Sequence, residues 1–295
     1  MECATSEEER GEMKSVLITG GAGYFGRQFT RRLLRDNLSE RIVIYSRGEA
    51  RQAEMRRHLE DDPRLRWIIG DVRDEARLRR AMYGVEIVLH AAALKRTDVC
   101  AYNVLECIET NVVGTANVVK ASIDSGAKIA VLLNSDKSVR PSTNYGLSKA
   151  LAGRIFQDGN NYSGESGTRF CSCLYGNISG STGSVIPTWR EILKVSDTVP
   201  VSHPDCTRFF MLASEAVDLV LFAIKTNEAG RVFIPQLPAY RVGDLAEAMG
   251  AKMRVVGLAA DEKMHEEMRS GETSDKARRM TVEELRKETA YVYPS

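Results

Sequence analysis

Three glycines constrain this chain more than any other feature. Gly20, Gly23 and Gly26 stand in TGGAGYFG, between an apolar run, SVLIT (15–19), and a stretch with helical apolar spacing at Phe29, Leu33 and Leu34. The first glycine permits a tight turn. The second lets the backbone approach a pyrophosphate, and the third lets helix and strand pack closely. The helix N-terminus adds amide donors and partial positive charge. The same string alone would be an ordinary glycine-rich turn. With a strand before it and a helix after it, it predicts a dinucleotide site, with Tyr24 and Phe25 counted among the cofactor-contacting residues.

The rest of the chain agrees. Further apolar strands are expected at 41–46, 64–70, 86–92, 128–135 and 170–176, with helices near 27–36, 50–59 and 103–125. Continuously apolar strands alternating with helices imply a parallel sheet covered on both faces. The expected fold is therefore α/β, a Rossmann-type doubly wound parallel sheet with ligands at the carboxyl ends of its strands. Beyond about residue 177 the alternation breaks down among Pro187, Pro200, Pro204, Pro235 and Pro238. We expect a flexible tail at 1–14, a dinucleotide-binding domain at 15–176, and a smaller substrate lobe at 177–270 interleaved with the last sheet elements. A polar, frayed segment is expected at 271–295.

Composition narrows the function. The 295 residues, 43% of them hydrophobic, suffice for a real core, and a net charge of +1 removes bulk attraction to nucleic acid or anionic membrane. Arg56-Arg57 and Arg79-Arg80 read as solvated helix faces. No apolar run approaches a membrane span, and the acidic start MECATSEEERGEMK is not a signal peptide. Cys3, Cys100, Cys107, Cys171, Cys173 and Cys206 contain no CxxC pair and read as reduced thiols of a cytoplasmic protein. Neither cysteines nor histidines have metal-ligand spacing, so no metal is expected. His90 and His265 are read as packing residues.

The second strand ends in Ser46 and Arg47, with Arg51 a helical turn further on. An acidic residue there would suit the ribose of NAD, whereas arginines suit a 2′-phosphate. NADP is the expected cofactor and NAD the alternative; the other reading leaves both arginines facing solvent. Asp71 and Val72, in GDVRD, are placed either to meet the adenine or simply to form a turn. Ala91 and Ala92, closing the fourth strand, complete the expected cradle.

Chemistry concentrates in NSDKSVRPSTNYGLSK (134–149). Tyr145 and Lys149 are four apart and share a helix face. An ammonium beside the phenol lowers its pKa, so Tyr145 can take a proton from a substrate hydroxyl as the carbon is oxidised. Ser135, at the strand end, can share that oxygen. Asp136 and Lys137 suggest a second step: once a ring hydroxyl has become a ketone, the neighbouring C–H is acidic. Lys137, with its pKa lowered by burial, can remove that proton, and a protonated Asp136 can donate to the departing hydroxyl. A surface Asp–Lys pair is the plain alternative.

In their order, TGGAGYFG, YSRGE, GDVRD, HAAALK, YNVLECIETN, SDKSVRPSTNYGLSK, YGNISGSTGSVIP, TRFF and DEKMHEEM resemble the extended short-chain dehydrogenases/reductases. The branch they resemble most is the C5-inverting UDP-N-acetylglucosamine 4,6-dehydratases, over roughly residues 15–268. The resemblance implies proton abstraction by Lys137, protonation of departing water by Asp136, and redox roles for Tyr145 and Lys149. It places Lys95 near cofactor and substrate, and puts Asn177, the loop of Thr182 and Ser184, Arg208 and Glu262 against the substrate. It also implies NADP and a homo-oligomer.

Departures from the family pattern bear on the substrate. Leu174, Thr182 and Ala259 stand where the family usually has arginine, and Arg96 and Val104 also depart. Arginine is the preferred fork for phosphate oxygens, and each lost charged hydrogen bond costs ~1.5–3 kcal/mol. Two substrates follow: a nucleotide sugar such as UDP-N-acetylglucosamine, or a sugar nucleoside or less-phosphorylated nucleotide giving an exocyclic alkene. A nucleotide-sugar epimerase without water loss and a non-enzymatic NADP-sensing scaffold are the competing classes.

Overall fold

The computed structural model describes residues 13–164 and 167–290. The chain opens with β1 (Met13–Thr19), α1 (Tyr24–Arg35), β2 (Ser39–Ser46), α2 (Glu49–His58), β3 (Leu65–Ile69), α3 (Glu75–Ala81) and β4 (Ile87–His90). Next come α4 (Thr97–Tyr102), α5 (Val104–Ile108), a π-helical turn (Glu109–Val113), α6 (Gly114–Asp124) and β5 (Ile129–Ser135). A 3-10 turn (Asp136–Ser138), α7 (Asn144–Ser163), β6 (Arg169–Tyr175), β7 (Asn177–Ile178), α8 (Val185–Leu193) and β8 (Thr198–Val201) follow. The remainder is β9 (Thr207–Met211), α9 (Ala213–Thr226), β10 (Val232–Phe233), β11 (Ala239–Arg241), α10 (Val242–Ala248), β12 (Lys252–Val255), β13 (Glu267–Arg269), β14 (Glu272–Thr273) and α11 (Val282–Ala290).

Seven strands form one sheet in the order β10-β6-β5-β4-β1-β2-β3, all paired in parallel. The expected doubly wound architecture is the observed one. Its two faces are visible inside single strands. Val16, Ile18, Ile42 and Ile44 pack on one side, and Leu17, Val43 and Tyr45 on the other, as the two-residue side-chain period requires. Burial on both faces is why these strands read as continuous apolar runs.

A second core lies in the later part of the chain, where Trp189, Phe210, Tyr240, Leu245 and Leu285 pack together. Small sheets β11-β9-β7 and β12-β8 frame it. Between β9 and β11 the chain returns to the main sheet to add β10 beside β6.

Four expectations change. The helix expected over 103–125 is broken into α5, a π-helical turn and α6, the turn bringing Thr110 and Asn111 into the interior. Helix α3, expected only as the solvated face of Arg79-Arg80 and without bounds, runs over Glu75–Ala81; Asp74 starts it by accepting a hydrogen bond from the backbone N–H of Arg77 at 2.9 Å. Residues 271–290 are not frayed: Met280 and Leu285 are buried in the second core, and α11 packs on α10. Of the expected tail, Met13 and Lys14 begin β1; 1–12, like 291–295 at the other end, lie outside the described residues.

Candidate active site

The glycine turn is shaped by close approach. Gly20 has φ of +67°, and a Cβ there would stand 2.9 Å from the backbone N and Cα of Ala92. A Cβ on Gly26 would meet the Gly21 carbonyl oxygen at 2.3 Å. Bare backbone thus brings the N-terminus of α1 against the ends of β1 and β4, the cradle a dinucleotide pyrophosphate needs. Gly23 caps α1 without a side-chain hydrogen bond. Tyr24 donates its hydroxyl to the Ser179 carbonyl oxygen at 2.8 Å, tying this turn to the loop that carries Thr182 and Ser184. Phe25 is buried and stacks with Phe29 and Tyr175, so its side chain belongs to the core.

At the end of β2, the Ser46 hydroxyl accepts from Gln52 at 3.0 Å. Arg47 is exposed, with its guanidinium 3.4 Å from Asp71, which also holds Arg73 at 2.8 Å. Val72 is buried against Gly114 of α6. Lys95 is exposed, but surrounding protein and the charge of Arg51 hold its ammonium below the ordinary lysine pKa.

The second group sits at the carboxyl end of β5. Ser135 donates its hydroxyl to Asp136 Oδ1 at 2.9 Å, and Lys137 Nζ reaches the same oxygen at 3.3 Å. Lys137 also donates to Asn177 Oδ1 at 3.3 Å. Tyr145 and Lys149 are buried on the first turns of α7. This helix lies directly on the loop: a Cβ on Gly146 would come 2.3 Å from the Lys137 carbonyl oxygen. Burial raises the pKa of Asp136, and Glu266 adds to this against the opposing charge of Lys137. Its side chain has no solvent exposure, and its Oδ2 accepts no hydrogen bond. It is a carboxyl group held toward its protonated form.

Two expected pKa relationships are corrected. Tyr145 is not lowered: burial pushes it up to about 12, with Lys137 and a hydrogen bond with Ser135 acting against burial. Lys149 instead donates to the Leu133 carbonyl oxygen at 2.7 Å, and burial takes its ammonium down to about 8. Lys137 is not lowered either. Burial alone would lower it, but the carboxyl groups of Asp136 and Glu266 carry it above the ordinary lysine value.

Sequence comparison places this geometry. The chain matches the polysaccharide biosynthesis protein family over residues 16–286. It belongs to that family. A UDP-N-acetylglucosamine 4,6-dehydratase (inverting) of Campylobacter jejuni is 38% identical over 264 residues, 88% of this chain and 79% of that protein. A UDP-glucose 4-epimerase of Rickettsia felis is 37% identical over 273 residues, 90% of this chain and 80% of the other. Among solved structures, Pen from Bacillus thuringiensis superposes with a TM-score of 0.89 at 31% identity, covering 94% of this chain and 98% of that one. DesIV, a dTDP-glucose 4,6-dehydratase from Streptomyces venezuelae solved with NAD bound, shares the fold at TM-score 0.78 and 21% identity, covering 94% and 96%.

The remaining expected substrate residues fall into two places. Arg208 on β9 is buried and pairs with Glu262 at 2.9 Å, beside the Lys137 group. Thr182 is exposed on the β7–α8 loop, and Ser184 starts α8. Three residues of the site escaped sequence reasoning. Glu266 lies 3.4 Å from Lys137 Nζ. Lys263 donates to the Val139 carbonyl oxygen at 2.6 Å. Buried Tyr240 hydrogen-bonds Asn177. The string DEKMHEEM carried a signal for the first two, since it crowds four carboxylates into eight residues. Tyr240 sits in a short apolar strand that carried none. Among the described residues no helix is long and apolar enough to cross a membrane, no His/Cys/Asp/Glu group has metal-holding geometry, and five buried cysteines are unpaired.

Proposed function

We propose that this protein is a nicotinamide-dependent nucleotide-sugar dehydratase acting on a UDP-N-acetylglucosamine-like substrate. The observation that carries this reading is the pairing of a buried carboxyl group, Asp136, with the Lys137 amine one strand-end away from the dinucleotide cradle. Oxidation or epimerisation needs only Tyr145, Lys149 and Ser135. Expelling water needs an additional acid and base, and these are the groups beside them.

The glycine turn, Ala91 and Ala92 would hold the dinucleotide, with Asp71 and Val72 toward the adenine; NADP would be favoured by Ser46, Arg47, Arg51 and Lys95. A bound nicotinamide would supply transient oxidation of a ring hydroxyl and, once water has left, the hydride returned to the carbon that lost it, so that the cofactor is regenerated. Tyr145, with Lys149 on the same helix face, takes that hydroxyl's proton, and Ser135 hydrogen-bonds the same oxygen. Burial holds the Tyr145 phenol protonated, so it must first pass its own proton to an acceptor, for which Lys149, four residues on and lowered to about 8 by burial, serves in its neutral form. Lys137 takes the proton from the carbon beside the new ketone. Asp136 protonates the leaving oxygen on the next carbon. Asn177, Thr182, Ser184, Arg208 and Glu262 hold the substrate, with Lys95 between substrate and cofactor.

We further infer a cytoplasmic homo-oligomer. Tyr102, Leu105, Ile108, Leu147 and Leu151 are exposed on α4, α5 and α7, which pack side by side. An apolar face of this kind fits a second copy better than water. The sugar-nucleoside reading rests on Leu174, Thr182 and Ala259. Incubation with UDP-N-acetylglucosamine and mass spectrometry of the products tests the main reading: a product lighter by one water supports it. Unchanged substrate, alongside water loss from a sugar nucleoside, moves the assignment to the second substrate. A product of unchanged mass and inverted configuration establishes an epimerase.

A further inference from the structure

Lys137 faces a second carboxyl partner that the proposed chemistry above does not use. Glu266 is 4% exposed, and its Oε1 lies 3.4 Å from Lys137 Nζ. Its Oε2 accepts no hydrogen bond, and Lys263 Nζ stands 3.8 Å away. The backbone is pinned: the Glu266 N–H donates to Ser274 Oγ at 2.9 Å, and Ser274 in turn donates to the Thr207 carbonyl oxygen at 3.1 Å. Met264 and His265 are held to Thr207. A carboxylate has thus been carried from the far end of the chain and fixed behind the amine.

We infer that Glu266 is a positioning residue for the elimination step, holding the Lys137 ammonium at rest and taking its proton when the amine must act as a base. This rests on the dehydratase reading. A protonated amine cannot abstract a proton, and Lys137 at rest is flanked by two carboxyl groups. Of these, Asp136 is held toward its protonated form, while Lys137, Arg208 and Lys263 outweigh burial and hold Glu266 ionised. Glu266 is therefore the ionised carboxylate within reach of the ammonium, at 3.4 Å, and because the same cations weaken it as a base, the proton stays on Lys137 until the elimination step draws on the amine.

The step balances. The proton on Lys137 Nζ passes to Glu266 Oε1, leaving a neutral amine and a neutral acid. The amine takes the proton from the carbon beside the ketone. That C–H electron pair forms the new C=C bond, the C–O bond on the next carbon breaks, and the oxygen leaves as water with the proton of Asp136. Glu266 then returns its proton, by way of Lys137, to Asp136. The groups facing Lys137 are Asp136 on its own turn, Tyr145 on α7, Asn177 on β7, Arg208 on β9, Tyr240 on β11, and Glu266 with Lys263 ahead of β13.

The test is the pH profile of water loss from UDP-N-acetylglucosamine by the whole protein and by E266Q and E266D. With Glu266 present the amine and acid share one proton, so the unsubstituted protein should show a flat rate across neutral pH. In E266Q the proton must leave to solvent beforehand, so the rate should fall about tenfold per pH unit on the acid side of the Lys137 pKa and recover at high pH. E266D should restore the flat profile at reduced rate. A merely structural ion pair predicts a less stable E266Q whose profile keeps its shape, and that result overturns the inference. So does a rate that already climbs with pH as a lone amine's would in the unsubstituted protein, a measurement that stands even should E266Q fail to fold. No water loss from any nucleotide sugar or nucleoside by the unsubstituted protein overturns the dehydratase reading, and this inference with it.

Discussion

Lys137 Nζ lies 3.3 Å from Oδ1 of Asp136, a carboxyl group with no solvent exposure. Acid and base are therefore joined before a substrate arrives. Their adjacency in sequence is what makes this possible: the 3-10 turn that follows β5 puts the first side chain inward and lets the second fold back over it.

Removing the amine should separate the two halves of the reaction. Lys137→Ala is expected to keep substrate-dependent reduction of the bound nicotinamide, read by its near-ultraviolet absorbance. Water loss should fall by about a hundredfold or more, the scale of a lost general base. Full turnover by this variant would remove Lys137 from the chemistry.

Cofactor choice should respond to charge at the end of β2. Replacing Arg47 and Arg51 together by aspartate should weaken NADP binding by roughly tenfold or more while leaving NAD binding nearly unchanged, since charge-assisted bonds to the 2′-phosphate are the ones lost. Calorimetric titration with each dinucleotide checks this. Equal losses for both would return the two arginines to the role of solvent-facing residues.

Acid stability should depend on His90. Its ring is buried, with Nδ1 2.7 Å from Thr19 Oγ1 and Nε2 3.0 Å from Thr115 Oγ1. Thr115 donates its own hydroxyl to Asn111 O at 2.6 Å, which assigns the ring proton to Nε2. Burial, with the charge of Lys149, lowers the pKa from 6.5 to about 3. The unfolded chain then binds the extra proton first. The contribution is fully present above pH 6.5 and is lost as pH falls toward about 3, at up to ~1.4 kcal/mol per pH unit. Denaturant unfolding across this range should show the slope, and His90→Gln should flatten it.

The apolar face on α5 and α7 should hold two copies together. Replacing Leu105 and Leu151 by glutamate is expected to give a smaller species in sedimentation velocity with the fold intact by circular dichroism. An unchanged sedimentation coefficient would place any contact elsewhere.

The legible parts of this molecule are the local ones. The glycine turn, the apolar strands and the Ser135–Lys149 string each announce themselves within a few residues, because tight turns, two-sided burial and one helix face are short-range demands. The π-helical break at Glu109–Val113 left no mark, since the residues of one long helix and of an interrupted one have the same apolar spacing. Helix α11 was hidden because its charged surface outweighs the single fully buried Leu285. The ionisation of Lys137 was unreadable for a deeper reason: it depends on the charges of Asp136 and Glu266 together, and the second is a contact that only tertiary structure creates. Burial alone predicted a lowered pKa, and the two carboxyl groups outweigh it.

Dehydration by this route requires that a proton leave the carbon beside a transient ketone and an oxygen depart from the next. Mass spectrometry of UDP-N-acetylglucosamine incubated with the protein in deuterium oxide tests this most directly. The expected product has lost one water and gained solvent deuterium, with both changes slowed by about a hundredfold or more in Lys137→Ala. A nucleotide sugar or nucleoside that is oxidised or epimerised without losing water, in the presence of intact Asp136 and Lys137, would contradict it.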